Sequence, residues 1–121
     1  VSDVVLCRLG ELDACGAKEF AVGEGDWPLR GFVVRYAGRV AAYVNRCPHA
    51  GHPLNLSPDR FLTSEGDLIL CNSHGALFAP ESGLCVSGPC RGRSLQALPI
   101  RVEDDCVVLN GDADELARRY A

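Results

Sequence analysis

Apolar and polar residues alternate in short runs along this chain, and glycine and proline interrupt the runs before they reach helical length. Residues 4–9 and 17–22 read as two strands. Residues 29–36 and 39–45 read as a hairpin turning at Ala37-Gly38, with Phe32, Val34 and Tyr36 on one face. Residues 67–70 and 76–78 predict two further short strands. Near the end, Leu98, Ile100 and Val102 alternate with Pro99, Arg101 and Glu103, and an Asp104-Asp105 turn leads into a strand at 106–109, a second hairpin. Residues 112–120 are the one helical segment the pattern supports, with Asp112, Asp114 and Glu115 at its start and Arg118 and Arg119 at its end to complement the helix dipole. At about two turns it needs docking to persist. The predicted class is all-β.

A chain of 121 residues is the size of one domain, so residues 1–121 are taken as a single unit. Apolar residues at 47% and charged residues at 23% are those of a protein that folds. Sixteen acidic against 12 basic residues give a net charge of -4, and Lys18 is the only lysine. That balance argues against a nucleic-acid partner and against an anionic membrane surface. No apolar run approaches the ~20 residues that span a bilayer, and residues 1–10 lack a basic segment followed by an apolar one. Seven cysteines, an odd number, cannot all pair within the chain, which favours a cytoplasmic protein using some thiols as metal ligands.

The stretch 46–93 is rich in Gly, Pro and Ser and holds all three histidines, His49, His52 and His74. Two short motifs lie in it, Cys47-Pro48-His49 and Cys71-Asn72-Ser73-His74, separated by residues 50–70. Each offers one soft thiolate and one imidazole. Four such ligands suit a tetrahedral zinc, although zinc sites usually pair like ligands two or more residues apart. A [2Fe-2S] centre accounts for the mixture directly, since one iron takes both cysteines and the other both histidines. Two ferric ions, two sulfides and two thiolates sum to zero, so one added electron leaves a single negative charge to stabilise.

On these motifs, with Gly51 and Pro53 flanking one loop and Gly75 the other, the sequence resembles the Rieske iron-sulfur family over about residues 1–110. Gly88-Pro89 matches the family's third, proline-containing loop. The resemblance implies an antiparallel β-sandwich with a cluster-binding loop subdomain at about 46–93 and a short C-terminal helix. It also implies a [2Fe-2S] cofactor held by Cys47, His49, Cys71 and His74. Respiratory members of the family carry an extra cysteine in each cluster loop; here those positions are His52 and Ser73, so that disulfide cannot form. Their serine and tyrosine hydroxyls, which bond to sulfur at the cluster site, correspond to Ala76 and Phe78. A low-potential, Rieske-type ferredoxin is therefore expected.

Such a ferredoxin carries one electron at a time, by this resemblance from a flavin reductase to a terminal oxygenase, and is not itself the enzyme. Gly23-Glu24-Gly25 is followed by Asp26-Trp27-Pro28, which breaks a dinucleotide fingerprint. A mononuclear oxygenase iron needs two histidines and a carboxylate, and only His52 is left over. The rival readings are a small redox subunit of a larger oxidoreductase complex and a zinc-stabilised interaction module. Arg46, Arg60, Arg91 and Arg93 fall in or near the cluster region and form either a solvated surface or a docking patch. Cys85, Cys90 and His52 receive no role.

Overall fold

Strands β1 (Val4–Arg8), β2 (Ala17–Val22), β3 (Leu29–Tyr36), β4 (Arg39–Val44), β5 (Ile69–Leu70), β6 (Leu77–Phe78), β7 (Cys85–Ser87), β8 (Ile100–Glu103) and β9 (Cys106–Leu109) are followed by helix α1 (Ala113–Tyr120). They are seen in a computed structural model that describes residues 4–13, 15–23, 28–48, 53–55, 59–72, 75–89 and 91–120. The strands form three antiparallel sheets, ordered β1-β9-β8, β2-β3-β4 and β5-β6-β7. A 3-10 turn, Leu9–Leu12, follows β1.

Both predicted hairpins form, each on a turn whose two central residues are left-handed: φ is 45° at Ala37 and 75° at Gly38, and 52° at Asp104 and 61° at Asp105. Turns of that hand follow the twist of the flanking strands. They set registers in which Phe32 faces Tyr43, Val33 faces Ala42 and Val102 faces Val107.

The β2-β3-β4 sheet lies between the other two and is buried on both faces. On one face Phe32, Val34 and Tyr43 join Phe61, Ile69, Phe78 and Leu95, with Tyr36 packed at the edge. On the other, Leu29, Val33, Ala42 and Val44 meet Leu6, Cys7, Val107 and Leu109. Burial on both sides explains why the middle of β3, Phe32 to Val34, is an unbroken apolar run. Phe32 and Phe61 stack at 4.2 Å between centroids and 10° between planes, fastening the central sheet to the segment that leads into β5.

Tyr43 crosses the first core and donates its hydroxyl to the Pro80 carbonyl at 2.6 Å. A Cβ at Gly83 would lie 2.8 Å from the Tyr43 ring, so this close approach requires glycine. At the far end of the chain, the Asp112 carboxylate accepts the Glu115 N–H at 3.3 Å, capping α1, and Leu116 packs on the second core.

Three features depart from the pattern. Strand β7 was not anticipated, because its segment turns Cys85 inward and leaves Leu84 and Val86 exposed, the reverse of the usual alternation. The expected strands at 67–70 and 76–78 are each shorter, being only Ile69–Leu70 and Leu77–Phe78. Along β8 burial fades from Leu98 to a Val102 that is 50% exposed, because the hairpin runs out past the core it starts from.

Burial pushes the Cys7 thiol up to about 11 and the Tyr43 phenol up to about 12. Nearby negative groups, Glu11 for the first and Glu81 for the second, act in the same direction. In the unfolded chain the two ionise nearer their ordinary values of 9.0 and 10.0, so above about pH 9 the unfolded state releases protons that the fold retains. The stability these groups contribute is fully present below that pH and is lost as pH rises towards about 12. Urea midpoints should therefore fall across the alkaline range, and less steeply in Tyr43→Phe; parallel profiles for the two proteins would contradict this.

Candidate metal centre

Cys47 and Cys71 belong to two separate loops of the 46–93 stretch, and the fold brings both into one core. Each has no exposed surface, and both belong to the cluster around Phe32, Phe61 and Phe78. Cys47 follows β4 by three residues. The chain there is fixed by bonds from the Val44 N–H to the Gln96 carbonyl at 2.9 Å and from the Asn45 N–H to the Arg30 carbonyl at 3.0 Å. Cys71 directly follows β5. Its N–H donates to the Ala76 carbonyl and its carbonyl accepts from the Gly75 N–H, both at 2.9 Å, which ties together the two ends of the loop between β5 and β6. Gly75 takes φ +73° with open space around its Cβ position, so backbone geometry and not crowding selects glycine there.

A chain of polar contacts ties the two loops together through Leu54. The Leu54 N–H donates to the Asn45 side-chain oxygen at 2.8 Å, anchoring the first loop to the end of β4. The Leu54 carbonyl accepts from the second loop twice, from the Asn72 N–H at 2.8 Å and from the Asn72 side-chain amide at 3.2 Å. The same amide also donates to the Arg60 carbonyl at 3.2 Å. Behind this joint, Asn45 donates to Asn55 at 3.0 Å and Asn55 to Glu19 at 3.1 Å. Sequence reasoning missed these residues. Asn72 sits inside a motif whose metal chemistry lies in its cysteine and histidine, and nothing in the spacing signals a bond between loops 18 residues apart.

The third loop closes over the second. At Gly88, with φ +106°, a Cβ would fall 2.7 Å from the Ala76 Cα, so a side chain there would force the loops apart. Cys85 is buried beneath it and donates its thiol to the Ser87 carbonyl at 3.3 Å. Ala76 and Phe78 are wholly buried and have no hydroxyl to offer. The arginines divide. Arg93 donates to the Pro48 carbonyl at 3.0 Å and Arg46 lines a cavity with Pro48, whereas Arg60 lines a separate one with Asp13 and Arg35.

His49, His52, His74, Ser73 and Cys90 lie outside the described residues. Among the described residues, no group of three or more histidine, cysteine, aspartate or glutamate side chains gathers in a way that could hold a metal ion. The donor set fits a soft cation: two thiol side chains share one dry, mostly apolar core, where a bare thiolate would be costly and a metal-bound one is compensated. Cys7, another buried cysteine, lies in the opposite core, and Cys15 and Cys106 are half-exposed.

Comparison with known proteins agrees with this geometry. No curated protein matches the sequence. The ferredoxin of carbazole 1,9a-dioxygenase from Nocardioides aromaticivorans IC177 is similar in structure, with TM-score 0.70 and 23% identity over 93% of this chain and 100% of that one. A chain of the complex of reduced oxygenase and oxidized ferredoxin in carbazole 1,9a-dioxygenase gives TM-score 0.68 and 21% identity over 93% and 95%. The terminal oxygenase of carbazole 1,9a-dioxygenase from Novosphingobium sp. KA1 gives 0.70 and 21%, over 95% of this chain but 32% of that one. At these identities the structures establish a shared fold. The model of the Rieske [2Fe-2S] domain matches residues 2–112, which sets the zinc reading aside: the chain belongs to the Rieske [2Fe-2S] family, whose domain binds a [2Fe-2S] cluster.

Proposed function

We propose that this chain is a ferredoxin that carries one electron at a time from a flavin reductase to a terminal oxygenase, and is not itself a catalyst. The observation that carries the reading is the pair of buried cysteines in two loops joined through Leu54, in a fold matched over 93% of its length by a ferredoxin of an oxygenase system. Residues 1–121 act as one unit with the cluster-binding region at about 46–93. Cys47 and Cys71 hold one iron, and His49 and His74 hold the other. When bound, the cluster supplies a centre that accepts and releases a single electron. The cysteine loops keep the thiolates dry and fixed. A ligated histidine usually donates its second ring nitrogen outward, which makes His49 and His74 contact points for a partner as well.

The working compartment is the cytoplasm, with protein partners and neither nucleic acid nor membrane. In support, the net charge is -4, and among the described residues no helix is long and apolar enough to cross a membrane. A second reading has one observation behind it. The same fold covers about a third of a larger oxygenase chain, so a Rieske unit also works while built into its enzyme. Stable co-purification with a larger oxidoreductase would favour that reading over the diffusing carrier.

Because Ala76 and Phe78 offer no hydroxyl to sulfur, the reduction potential should lie near the low end of the Rieske range, about -150 mV and not about +300 mV. Iron and labile sulfide in equal amounts, with a redox titration followed by paramagnetic resonance, test this; a colourless protein holding one zinc contradicts it. His74→Cys adds a negative thiolate in place of a neutral imidazole, so any cluster that still forms should have a lower potential, and an unchanged value would remove His74 from the ligand set. Asn72→Ala deletes both side-chain bonds at the joint between the loops, and should cost about 1–2 kcal/mol of stability and speed cluster loss. Wild-type urea midpoint and bleaching rate in this variant would show that the joint holds nothing.

A further inference from the structure

Arginines gather beside the first cysteine loop of a chain whose overall charge is negative. Arg46 and Arg119 line a shallow cavity of about 210 Å3 with Pro48, Ser94 and Gln96, and no carboxylate is among its described lining residues. Arg93, also exposed, reaches the same loop through its bond to the Pro48 carbonyl. The neighbouring strand adds an apolar border. Leu84 pairs with Ser94, and the Cys85 N–H donates to the Arg93 carbonyl at 2.8 Å. Leu84 and Val86, 43% and 42% exposed, turn outward on the same side of β7.

Three cations from three separate parts of the chain, the end of β4, the stretch after the third loop and the last turn of α1, thus meet around the residue between Cys47 and His49. A positive edge beside apolar side chains is the complement of a partner surface with carboxylates around an apolar centre, and it would speed encounter and fix orientation. We propose that this cradle of Arg46, Arg93 and Arg119, bordered by Leu84 and Val86, docks an acidic surface of the protein with which this chain exchanges electrons. The inference rests on the electron-carrier reading for the nature of the partner, while the charge and geometry of the cradle stand apart from it.

The test uses the full chain and a fluorescent octaglutamate peptide as probe, with anisotropy read at ionic strengths of about 0.01 M and about 0.15 M. Binding should be measurable at low salt and weaken at least about tenfold at the higher salt. It should also weaken at least about tenfold in Arg46→Gln/Arg93→Gln/Arg119→Gln, and by less than about twofold in Arg30→Gln/Arg39→Gln/Arg60→Gln, which removes the same charge from elsewhere. The double variant Arg46→Gln/Arg119→Gln keeps the Arg93 bond to Pro48 and should still lose most of the binding, separating docking from any loosening of the loop. Equal losses in the two triple variants, or no binding by the wild type, overturn the proposal. So does arginine-dependent self-association in sedimentation, which would assign the cradle to a second copy of this chain. Cluster content measured on the same samples keeps the two readings apart: a sample without cluster that still binds the peptide sinks the carrier reading alone, and a red-brown sample that does not bind sinks the cradle alone.

Discussion

The site depends on the main chain of Leu54. Its N–H is held by the side chain that ends β4, and its carbonyl holds the loop that follows β5. Two segments far apart in sequence are thereby kept at fixed separation without a covalent link. Residues 48–55 and 72–76 hold no further cysteine that could link the loops covalently, and directed hydrogen bonds join them instead. Asn45, Asn55, Asn72 and Glu19 continue the network back to the central sheet.

The central sheet is what gives that network something rigid to hang from. Covered on both faces, it presents Phe32 to the stack with Phe61, and the backbone around Phe61 accepts the Leu70 N–H at 2.7 Å, one residue before Cys71. Packing in the core therefore sets the position of a proposed ligand within a few bonds. The third loop is placed by contact instead of bonding, with Gly88 against the Ala76 backbone. Small residues at 76 and 88 let the third loop sit close against the second.

Much of this was legible in the sequence, and the physical reasons differ by element. The hairpins around Ala37-Gly38 and Asp104-Asp105 announce themselves because turn chemistry and alternation are local. Cysteine and histidine at one- and two-residue spacing announce a soft-metal site because ligand geometry is local too. Strand β7 was hidden by its inverted burial, with Cys85 inside and Leu84 and Val86 outside. The three-sheet layering was hidden because it is a long-range property, visible in sequence only as the short apolar run from Phe32 to Val34 in β3. The Leu54 joint was hidden for a different reason: all three of its bonds end on the main chain of Leu54, which any residue supplies, and only Asn45 and Asn72 bring side chains to it. The arginines could be counted but not sorted, since only the fold separates Arg60 from Arg46 and Arg93.

The account stands or falls on one iron bound by sulfur alone and its neighbour bound by two imidazoles. Pulsed paramagnetic resonance of the reduced protein, grown with 15N-labelled histidine, addresses this directly. The account predicts a signal coupled to two histidine nitrogens, with the coupling altered by the label. A reduced signal with no histidine coupling, or no cluster signal in a protein carrying a single metal ion, would contradict it.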